Sequence, residues 1–400
     1  MSENALQRRL ALLRAGAPSP CNPSAGTSIG NRMARSAVRA CPRPFSDAEL
    51  ARRLGGRIAA DHVVVIEREI PLASHHGRVM LAGVFGLPAL PWLECPDPQR
   101  FVFIDTETTG LAGGTGTMAF LIGAARLDAD CLRVRQYLLT AFAGEPAALR
   151  DLGRWTGTEP HLVSYNGKRF DLPLLAARYR LAGMPDPFAG RPHLDLLHPV
   201  RAAFRTRWPD CRLSTVERRL LGFARTDDLP GAAMPGAWLE FLRGGRLDVL
   251  PAVLEHNLYD LVSLAALLPA LAESYLRASG NADALGVARA WSRAGAPAAA
   301  LRSLTEVRDA LDEAGLLELA RLYRRQADWD AACRIWDDLS RRGSLEAVER
   351  MAIYHEHVAR NPAMAAELAD RLRRADPQRP AHLRRIERLG RKLRQGSFPA

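Results

Sequence analysis

The sequence predicts an α/β domain, with a mixed sheet flanked by helices, followed by an all-α helical-repeat module. Short apolar runs, rich in β-branched and aromatic residues, alternate first with turns and then with helical periodicities in the first part of the chain. After about residue 280, apolar residues recur at helical spacing. We therefore predict a basic, partly disordered N-terminal arm (1–56), the α/β domain (57–275) and the helical module with a basic C-terminal tail (280–400).

The first strands of the α/β domain are predicted from alternation and from apolar runs. Residues 57–85 alternate apolar and polar side chains, which indicates strands that lead into the sheet. The run Phe101-Val102-Phe103-Ile104 predicts a buried strand. Residues 119–127 and 132–139 flank the turn Asp128-Ala129-Asp130 and predict a hairpin. Together with the Phe101 strand, this hairpin gives a three-stranded meander.

Helices and one further strand follow the meander. We predict a helix at about 146–156, a strand at 161–165 and a helix at 171–182, with helical patterns continuing at about 195–222 and 250–274. An order of three strands, helix, strand and helix is typical of an α/β sandwich in which helices cover a sheet.

Two carboxylates directly follow the buried strand at Phe101. Asp105 and Glu107 are two residues apart, so both project from the same face of the strand. A buried charge without a partner is costly, so packing does not explain these residues. Two carboxylates on one face repel each other unless a cation lies between them. A divalent metal ion is the usual cation in such a site.

Two later segments add further acids. Asp171 follows a strand and a Gly-containing turn, at the start of a predicted helix. His256 and Asp260 are four residues apart on a helix and therefore share one face. Taken alone, Asp171 could cap its helix and His256 could be an ordinary half-buried histidine. Their joint occurrence in this order favours a functional site.

These motifs carry a resemblance to a known family. A D-x-E step at a strand end, N-G-x-x-F-D from Asn166, and a helix with His before Asp resemble the DEDD 3′–5′ exonuclease superfamily of RNase H-like folds. The wider stretch resembles the YprB-type family of bacterial RNase H-like predicted exonucleases, in D-T-E-T-T-G-L-A-G-G-T-G, R-L-S-T-V-E and H-N before Asp260. The resemblance covers about residues 80–270. It implies that two Mg²⁺ or Mn²⁺ ions are held by four carboxylates: Asp105, Glu107, Asp171 and Asp260.

The catalytic base departs from the pattern of the superfamily. The superfamily places a His five residues before the last Asp, or a Tyr four residues before it. Here His256 lies four residues before Asp260, and Tyr259 is adjacent to it. Four residues advance about 400° around a helix, so His256 stays near the face of Asp260, whereas Tyr259 lies about 100° away. We predict His256 as the base, with Tyr259 as the alternative.

A glycine-rich loop and a basic turn are the candidate substrate contacts. Residues 110–116 include four glycines, and such a loop can bring backbone N–H groups close to a phosphate. No GxxxxGK[ST] pattern is present, which argues against a nucleotide P-loop. A flexible turn and solvated loop charges are the alternatives. The predicted substrate-binding residues are Thr108, Gly110, Asn166 and Lys168.

The net charge of +11 is concentrated at the ends of the chain. Residues 1–60 carry +7 and residues 371–395 carry +8, which leaves −4 for residues 61–370. We expect the tails to attract nucleic acid. The alternative is that they are solvated surface.

Composition also bounds the class of protein. The six cysteines are scattered without a CxxC pair, which argues against a zinc site or a disulfide framework. No apolar run approaches the length of a membrane span. We therefore predict a cytoplasmic protein without membrane contact. The Arg-rich, acid-poor start also fits an organellar transit peptide, which is the alternative.

The helical module shows a weak repeat. Its small and aromatic residues recur at intervals of 31 to 34, a period that resembles tetratricopeptide-type helix pairs. Generic amphipathic helices are the alternative. Helical-repeat modules bind proteins or peptides in a concave groove, so a protein partner is expected here. The recurring residues are Trp291, Tyr323, Tyr354, Ala299, Ala332 and Ala366.

The sequence thus predicts a metal-dependent 3′–5′ exonuclease that hydrolyses phosphodiester bonds of DNA or RNA. Two alternatives stay open: an RNase H-like nucleic-acid-binding adaptor with a weak or inactive site, and a structure-specific endonuclease. No RRM, KH or zinc-finger signature indicates whether the substrate is DNA or RNA.

Overall fold

The computed structural model describes residues 45–94, 97–110, 116–226, 228–244, 247–277 and 281–395. Most of the predicted N-terminal arm lies outside these residues. Its last part forms helix α1 (Asp47–Leu54), which begins at Ser46, whose hydroxyl accepts from the backbone N–H of Glu49. Leu50 and Leu54 of α1 are buried in the core, so this part of the arm belongs to the folded protein.

A mixed seven-stranded sheet forms the centre of the α/β part, in the order β1-β2-β7-β6-β5-β8-β9. Strand β5 pairs antiparallel with β6 and parallel with β8, which in turn pairs parallel with β9. The predicted meander and the mixed sheet are confirmed. The strands are β1 (Arg57–Ala60), β2 (Val63–Pro71), β3 (His75–His76), β4 (Val79–Met80), β5 (Phe101–Thr108), β6 (Ala119–Leu127), β7 (Cys131–Leu139), β8 (His161–Ser164) and β9 (His193–Asp195).

Helices cover both faces of this sheet, which explains the uninterrupted apolar run of β5. Val102 and Ile104 point into one core, and Phe101 and Phe103 point into the core on the opposite face. The helices after α1 are α2 (Glu145–Trp155), α3 (Asp171–Leu181), α4 (Leu197–Phe204), α5 (Leu213–Val216), α6 (Met234–Leu242) and α7 (Leu250–Leu276). Among the described residues, no helix is long and apolar enough to cross a membrane.

The helical segments predicted at about 195–222 are present, but they are interrupted and are preceded by a strand. The chain forms strand β9 there, then α4, then an irregular segment, and then α5, which continues as one π-helical stretch, Glu217–Leu221. Pro209 cannot donate a helical hydrogen bond, and the Asp210 carboxylate accepts from the backbone of Arg212 and from the Thr215 hydroxyl. These groups end one helix and start another. Helix α6 was not predicted from the sequence.

The region after residue 280 consists of packed helices, as predicted. Each of its helices packs against the next along the chain, and small residues such as Ala300, Ala332 and Ala347 are fully buried between them. The tetratricopeptide-like repeat stays a prediction. The helices are α8 (Ala284–Arg293), α9 (Pro297–Thr305), α10 (Glu313–Arg325), α11 (Trp329–Arg341), α12 (Leu345–His357), α13 (Pro362–Ala375) and α14 (Pro380–Gln395).

Candidate metal centre

Asp105 and Glu107 lie at the end of β5, in the middle of the sheet. Thr106, between them, points to the other side of the strand, and its hydroxyl donates to Oδ1 of Asp171 at 2.5 Å. This contact ties Asp171 to the strand that carries Asp105 and Glu107. Asp171 is the first residue of α3.

The loop before Asp171 is fixed by its backbone. Asn166 adopts a left-handed conformation with φ of 65°. The backbone N–H groups of Asn166 and Lys168 donate to the buried carboxylate of Asp195, at 2.7 and 3.1 Å. A Cβ at Gly167 would collide with Ser164, so glycine is needed where the loop passes β8. The loop places Asp171 at the same sheet edge as Asp105.

Helix α7 brings the remaining residues across the sheet. Asn257, fully buried, donates from Nδ2 to Oδ2 of Asp105 at 2.8 Å and accepts at Oδ1 from Nε2 of Gln136 at 2.9 Å. A Cβ at Gly123 in β6 would overlap the Asn257 amide, so this glycine permits the close approach. Asn257 was not predicted as a site residue. The signal was present, since a glycine inside an apolar strand often marks a close contact.

His256 and Asp260 face Glu107 from the same helix. His256 Nε2 lies 3.8 Å from Oε1 of Glu107 and 3.7 Å from Oδ2 of Asp260. One ligand atom from each of these three residues lies within 4.8 Å of the other two, which is a spacing that can hold a metal ion. His256 is therefore placed either to accept a proton or to ligate. Tyr259 turns away: its hydroxyl donates to Glu255 at 2.6 Å and its ring packs on Phe223.

The electrostatics of the cluster are those of uncompensated negative charge. Removal from water, followed by repulsion from three neighbouring carboxylates, raises the pKa of Asp105 well above its usual range. Burial, with Asp260 and Asp171 nearby, raises the pKa of Glu107 to about 8. Burial also raises the pKa of Asp171 to about 6, although the Thr106 hydroxyl opposes this shift. An added cation would relieve all three shifts, and oxygen donors of this kind suit a hard divalent ion.

One guanidinium partly compensates this charge. The Arg225 side chain is 7% exposed and pairs with Oδ1 of Asp260. It also donates to both carboxylate oxygens of Glu217, at 2.5 and 2.9 Å. Oε1 of Glu217 accepts in turn from the Ser263 hydroxyl at 2.6 Å. Sequence reasoning missed Arg225, because it lies in an irregular segment of a chain with 53 arginines. Glu217 is the last residue of the motif R-L-S-T-V-E, but it was not predicted as a site residue.

Asp228 orients the histidine. Its Oδ1 lies 2.7 Å from Nδ1 of His256, closer than Nη1 of Arg225, which lies 3.2 Å from the same nitrogen. The shorter contact to a carboxylate favours the proton on Nδ1, which leaves Nε2 as an acceptor that faces Glu107 and Asp260. Asp228 was also missed, since nothing local in the sequence pairs it with a residue 28 positions away.

A cleft with a cavity volume of about 420 Å³ opens over the acids. Asp105, Glu107 and Asp171 line one side, and Thr108 and Gly110 extend it. The other side is apolar and includes Phe170, Leu174 and Pro235. Of the four predicted substrate-binding residues, Thr108 and Gly110 thus line the cleft, whereas Asn166 and Lys168 anchor the neighbouring loop. The remainder of the glycine-rich loop, 111–115, lies outside the described residues.

Comparison with known proteins finds a family match within the α/β part. The RNase_H superfamily profile matches residues 102–272. A segment of 104 residues is 33% identical to DNA polymerase 1 of Aeropyrum pernix, over 22% of this chain and 11% of that protein. The family B DNA polymerase of Pyrobaculum calidifontis aligns with a TM-score of 0.36 and 15% identity, over 58% of this chain and 30% of that one.

A relative that extends along most of the chain is the YprB protein of Bacillus subtilis (strain 168). It is 30% identical over 335 residues, which span 78% of this chain and 80% of the relative. The match includes both the α/β part and helices of the module, since it is longer than the sheet region alone. The chain therefore belongs to the YprB family and carries an RNase H superfamily domain.

Proposed function

We propose that this protein is a metal-dependent 3′–5′ exonuclease that hydrolyses phosphodiester bonds in DNA or RNA. The observation that carries the proposal is the convergence of four carboxylates, with too little positive charge around them, at the end of an interior strand of an RNase H-like sheet. A fold that needed only stability would not gather such groups, because their mutual repulsion opposes folding.

Asp105, Glu107, Asp171 and Asp260 would hold two divalent cations, Mg²⁺ or Mn²⁺. When bound, such ions supply Lewis-acid stabilisation of an in-line displacement at phosphorus. Two of the protein's own groups position these acids. Asn257 donates to Oδ2 of Asp105, and Arg225 pairs with Oδ1 of Asp260, so each carboxylate is held through one oxygen.

His256 would act as the base. Its Nε2 faces the acidic cluster and can accept the proton of the attacking water, while Asp228 holds the ring through Nδ1. The imidazole is also close enough to Glu107 and Asp260 to serve as a ligand. The two roles predict different results when His256 is replaced. If the imidazole is the base, metal binding remains, whereas metal binding is lost if the imidazole is a ligand.

The shape of the cleft supports attack at the end of a nucleic-acid strand. Its volume of about 420 Å³ is that of a site for one small ligand, not for a duplex segment. Phe170 is 50% exposed beside Arg169 and offers a ring on which a terminal base can stack. Thr108 and Gly110 would contact the terminal sugar. The similarity to a DNA polymerase supports nucleic acid as the class of substrate.

End-labelled and circular oligonucleotides test the proposal directly. Single- and double-stranded DNA and RNA, labelled at the 5′ end, are incubated with the full chain and Mg²⁺ or Mn²⁺. We expect ladders that shorten from the 3′ end, with no products in EDTA or with Asp105→Asn. The exposed acid Asp130 provides a matched control, Asp130→Asn, which should remain active.

Three outcomes contradict the proposal. Cleavage that persists in EDTA excludes the metal mechanism. Cleavage of circular single strands favours the endonuclease alternative. Tight binding without any cleavage, under all metal conditions, favours the adaptor with an inactive site.

A further inference from the structure

A second concave surface lies where the helical module joins the α/β part. It has a cavity volume of about 1010 Å³ and is lined by α4, by α8 and by Arg321 of α10. We call it the junction groove. It is separate from the catalytic cleft, with which it shares no lining residue.

The two helices that form the groove are joined tightly. The backbone N–H of Asp283 donates to the carbonyl of Ala203 at 2.6 Å, and the Thr206 hydroxyl donates to Oδ2 of Asp283 at 2.8 Å. A Cβ at Gly286 would collide with the carbonyl of Ala202, so glycine permits this close crossing. The groove is therefore a fixed feature of the fold.

Exposed arginines line the groove from both helices. Arg201 lies on α4 and Arg205 directly follows the end of this helix, one turn further on. Arg289 and Arg293 are one turn apart on α8, so each pair spans about 6 Å along its helix direction. Arg201, Arg205 and Arg289 make no ion pair with any carboxylate in the part of the chain that the structure describes. Their charge is available to a ligand.

The acids of the groove do not cancel this charge. Asp283 caps α8 by accepting from the backbone N–H of Gly286, and both carboxylate oxygens of Glu318 accept from the guanidinium of Arg321, at 2.5 and 2.8 Å. Glu94 is the remaining carboxylate on the lining. A neighbouring concavity of about 220 Å³ shares Arg289 and Arg321 with the groove and continues to other arginines of the module, Arg324 and Arg350.

We propose that the junction groove binds the phosphate backbone of a single-stranded nucleic acid whose 3′ end lies in the catalytic cleft. The inference rests on the proposed nuclease function for the identity of the polyanion. Arginines without internal partners, aligned in a groove beside the partly exposed Trp92, are what a sequence-independent strand-binding site requires.

Helix α7 sets the distance between the two sites. Asp260 belongs to the acidic cluster and Tyr275, on the same helix, lines the groove. Fifteen residues of helix span about 22 Å. A stacked strand spaces its phosphates about 3.4 Å apart, so roughly six nucleotides separate the cleft from the groove. Strands of six nucleotides or fewer would not bridge the two sites.

The test is binding, measured in EDTA so that no substrate is consumed. A fluorescein-labelled dT24 and a dT6 are titrated with the full chain, with the triple variant R201Q/R205Q/R289Q, and with the matched variant R150Q/R154Q/R180Q. The control arginines are equally exposed and make no ion pair in the described structure, but they lie on α2 and α3, outside the groove. Equal melting temperatures of both variants establish that each is folded.

We expect the groove variant to lose at least ten-fold in affinity for dT24. The loss of affinity for dT6 should be at least five times smaller than the loss for dT24. Its salt dependence should fall by about 2 in slope, since each phosphate contact with a single strand contributes about 0.7. The control variant should change less than about two-fold. Equal losses in the two variants, or equal losses for the two lengths, overturn the proposal, as does an acidic protein segment that binds the groove while dT24 does not.

The outcomes separate this proposal from the nuclease function. A chain that binds dT24 through the groove but never cleaves it leaves the groove in place and removes the exonuclease. A chain that cleaves, with binding insensitive to the groove arginines, keeps the exonuclease and removes the groove.

Discussion

Two buried glutamates of this protein have opposite surroundings. Glu107 lies among carboxylates, and burial together with Asp260 and Asp171 raises its pKa to about 8. The Glu356 side chain is fully buried, which alone would raise its pKa, yet the hydrogen bonds and charge of Arg388 and other cations lower it to about 2. A buried glutamate thus lacks cationic partners in the first place and has several in the second.

The contrast separates two kinds of buried carboxylate by the cations around them. Glu356 receives its cations from the fold, with Arg388 at 2.7 and 2.8 Å and Lys392 at 3.3 Å. Among the described residues, Glu107 has no such partner, and Arg225, whose charge acts on it, is occupied by Glu217 and Asp260. The divalent ions of the proposed function would supply the cation that Glu107 lacks.

The largest expected effect comes from removing the charge of Glu107. Glu107→Gln should lower the rate of cleavage by on the order of 10³-fold, because a ligand of the proposed metal ions is lost. At pH 8 and in EDTA, the same variant should melt at a higher temperature than the unchanged protein, because a repelled carboxylate is gone. A variant that is inactive and also destabilised in EDTA would show that Glu107 is structural.

His256→Ala should give the next largest effect on activity. A positioned base contributes roughly 10²–10⁴-fold, and we expect a loss of about 10²-fold, at the lower end of this range, because the metal ligands remain. Metal binding, followed by calorimetric titration with Mn²⁺, should persist, whereas Tyr259→Phe should retain nearly full activity because its hydroxyl contacts only Glu255 in the described structure. Loss of Mn²⁺ binding in His256→Ala would assign the imidazole as a ligand.

The comparison also explains how far the sequence could predict the site. Asp105, Glu107 and Asp171 follow strands or begin a helix, and His256 lies one turn from Asp260, so each signal is local. Their role as ligands remains a prediction. The strand pattern also predicted the mixed sheet correctly, apart from β9. This strand has three residues, which is too short for an alternation of apolar and polar side chains to be recognised.

The partners of these residues could not be predicted. Arg225 contacts Asp260, 35 positions away, and Asp228 contacts His256, 28 positions away, from a segment without periodicity. The junction groove was hidden for a different reason. Its arginines come from two helices 84 or more positions apart, in a part of the chain whose summed charge is −4. A sum over a segment says nothing about which charges are paired.

Glu356→Gln should affect stability rather than catalysis. Removal of one partner from a buried charge cluster costs about 3 kcal/mol, although the exposure of Arg388 and Lys392 moderates this loss. Chemical unfolding should therefore give a lower free energy of unfolding, while the rate of cleavage by the folded fraction stays unchanged. A Glu356→Gln protein of unchanged stability would mean that the surrounding cations contribute nothing.

The two glutamates should respond to pH with opposite sign. The pKa of Glu356 is about 2 in the folded protein against about 4.5 in an unfolded chain, so its contribution is present above pH 4.5 and is lost as the pH falls towards 2. The pKa of Glu107 is about 8, so the native state holds a proton that the unfolded state releases. Its contribution is present below pH 4.5 and is lost as the pH rises towards 8.

Melting curves in EDTA between pH 3 and pH 9 check these signs. Glu107→Gln should flatten the alkaline side of the profile, and Glu356→Gln should flatten the acidic side. Divalent cations should restore stability on the alkaline side of the unchanged protein only, because they bind the ionised cluster. A profile that Glu107→Gln leaves unaltered would contradict the assignment of its raised pKa.

The smallest expected effect concerns the C-terminal helix α14, part of the basic tail that the sequence predicted to attract nucleic acid. Several cations of this region are used inside the fold: Arg371 donates to Ser340, and Arg388 and Lys392 bind Glu356. The tail therefore includes a packed helix whose charge is partly neutralised. Deleting residues 371–400 would expose Glu356 and disturb the helical module, so substitutions are the cleaner test.

Exposed arginines of α14 without ion pairs in the described structure are Arg384, Arg391 and Arg394. Their replacement by glutamine removes as much charge as the groove variant does, but from residues outside the groove. Because screened charges at a distance contribute little at physiological salt, we expect at most a two- to three-fold loss of affinity for dT24. A loss of affinity for dT24 as large as that of the groove variant would show that the tail binds nucleic acid. It would also show that the ion pairs at Glu356 do not prevent this binding.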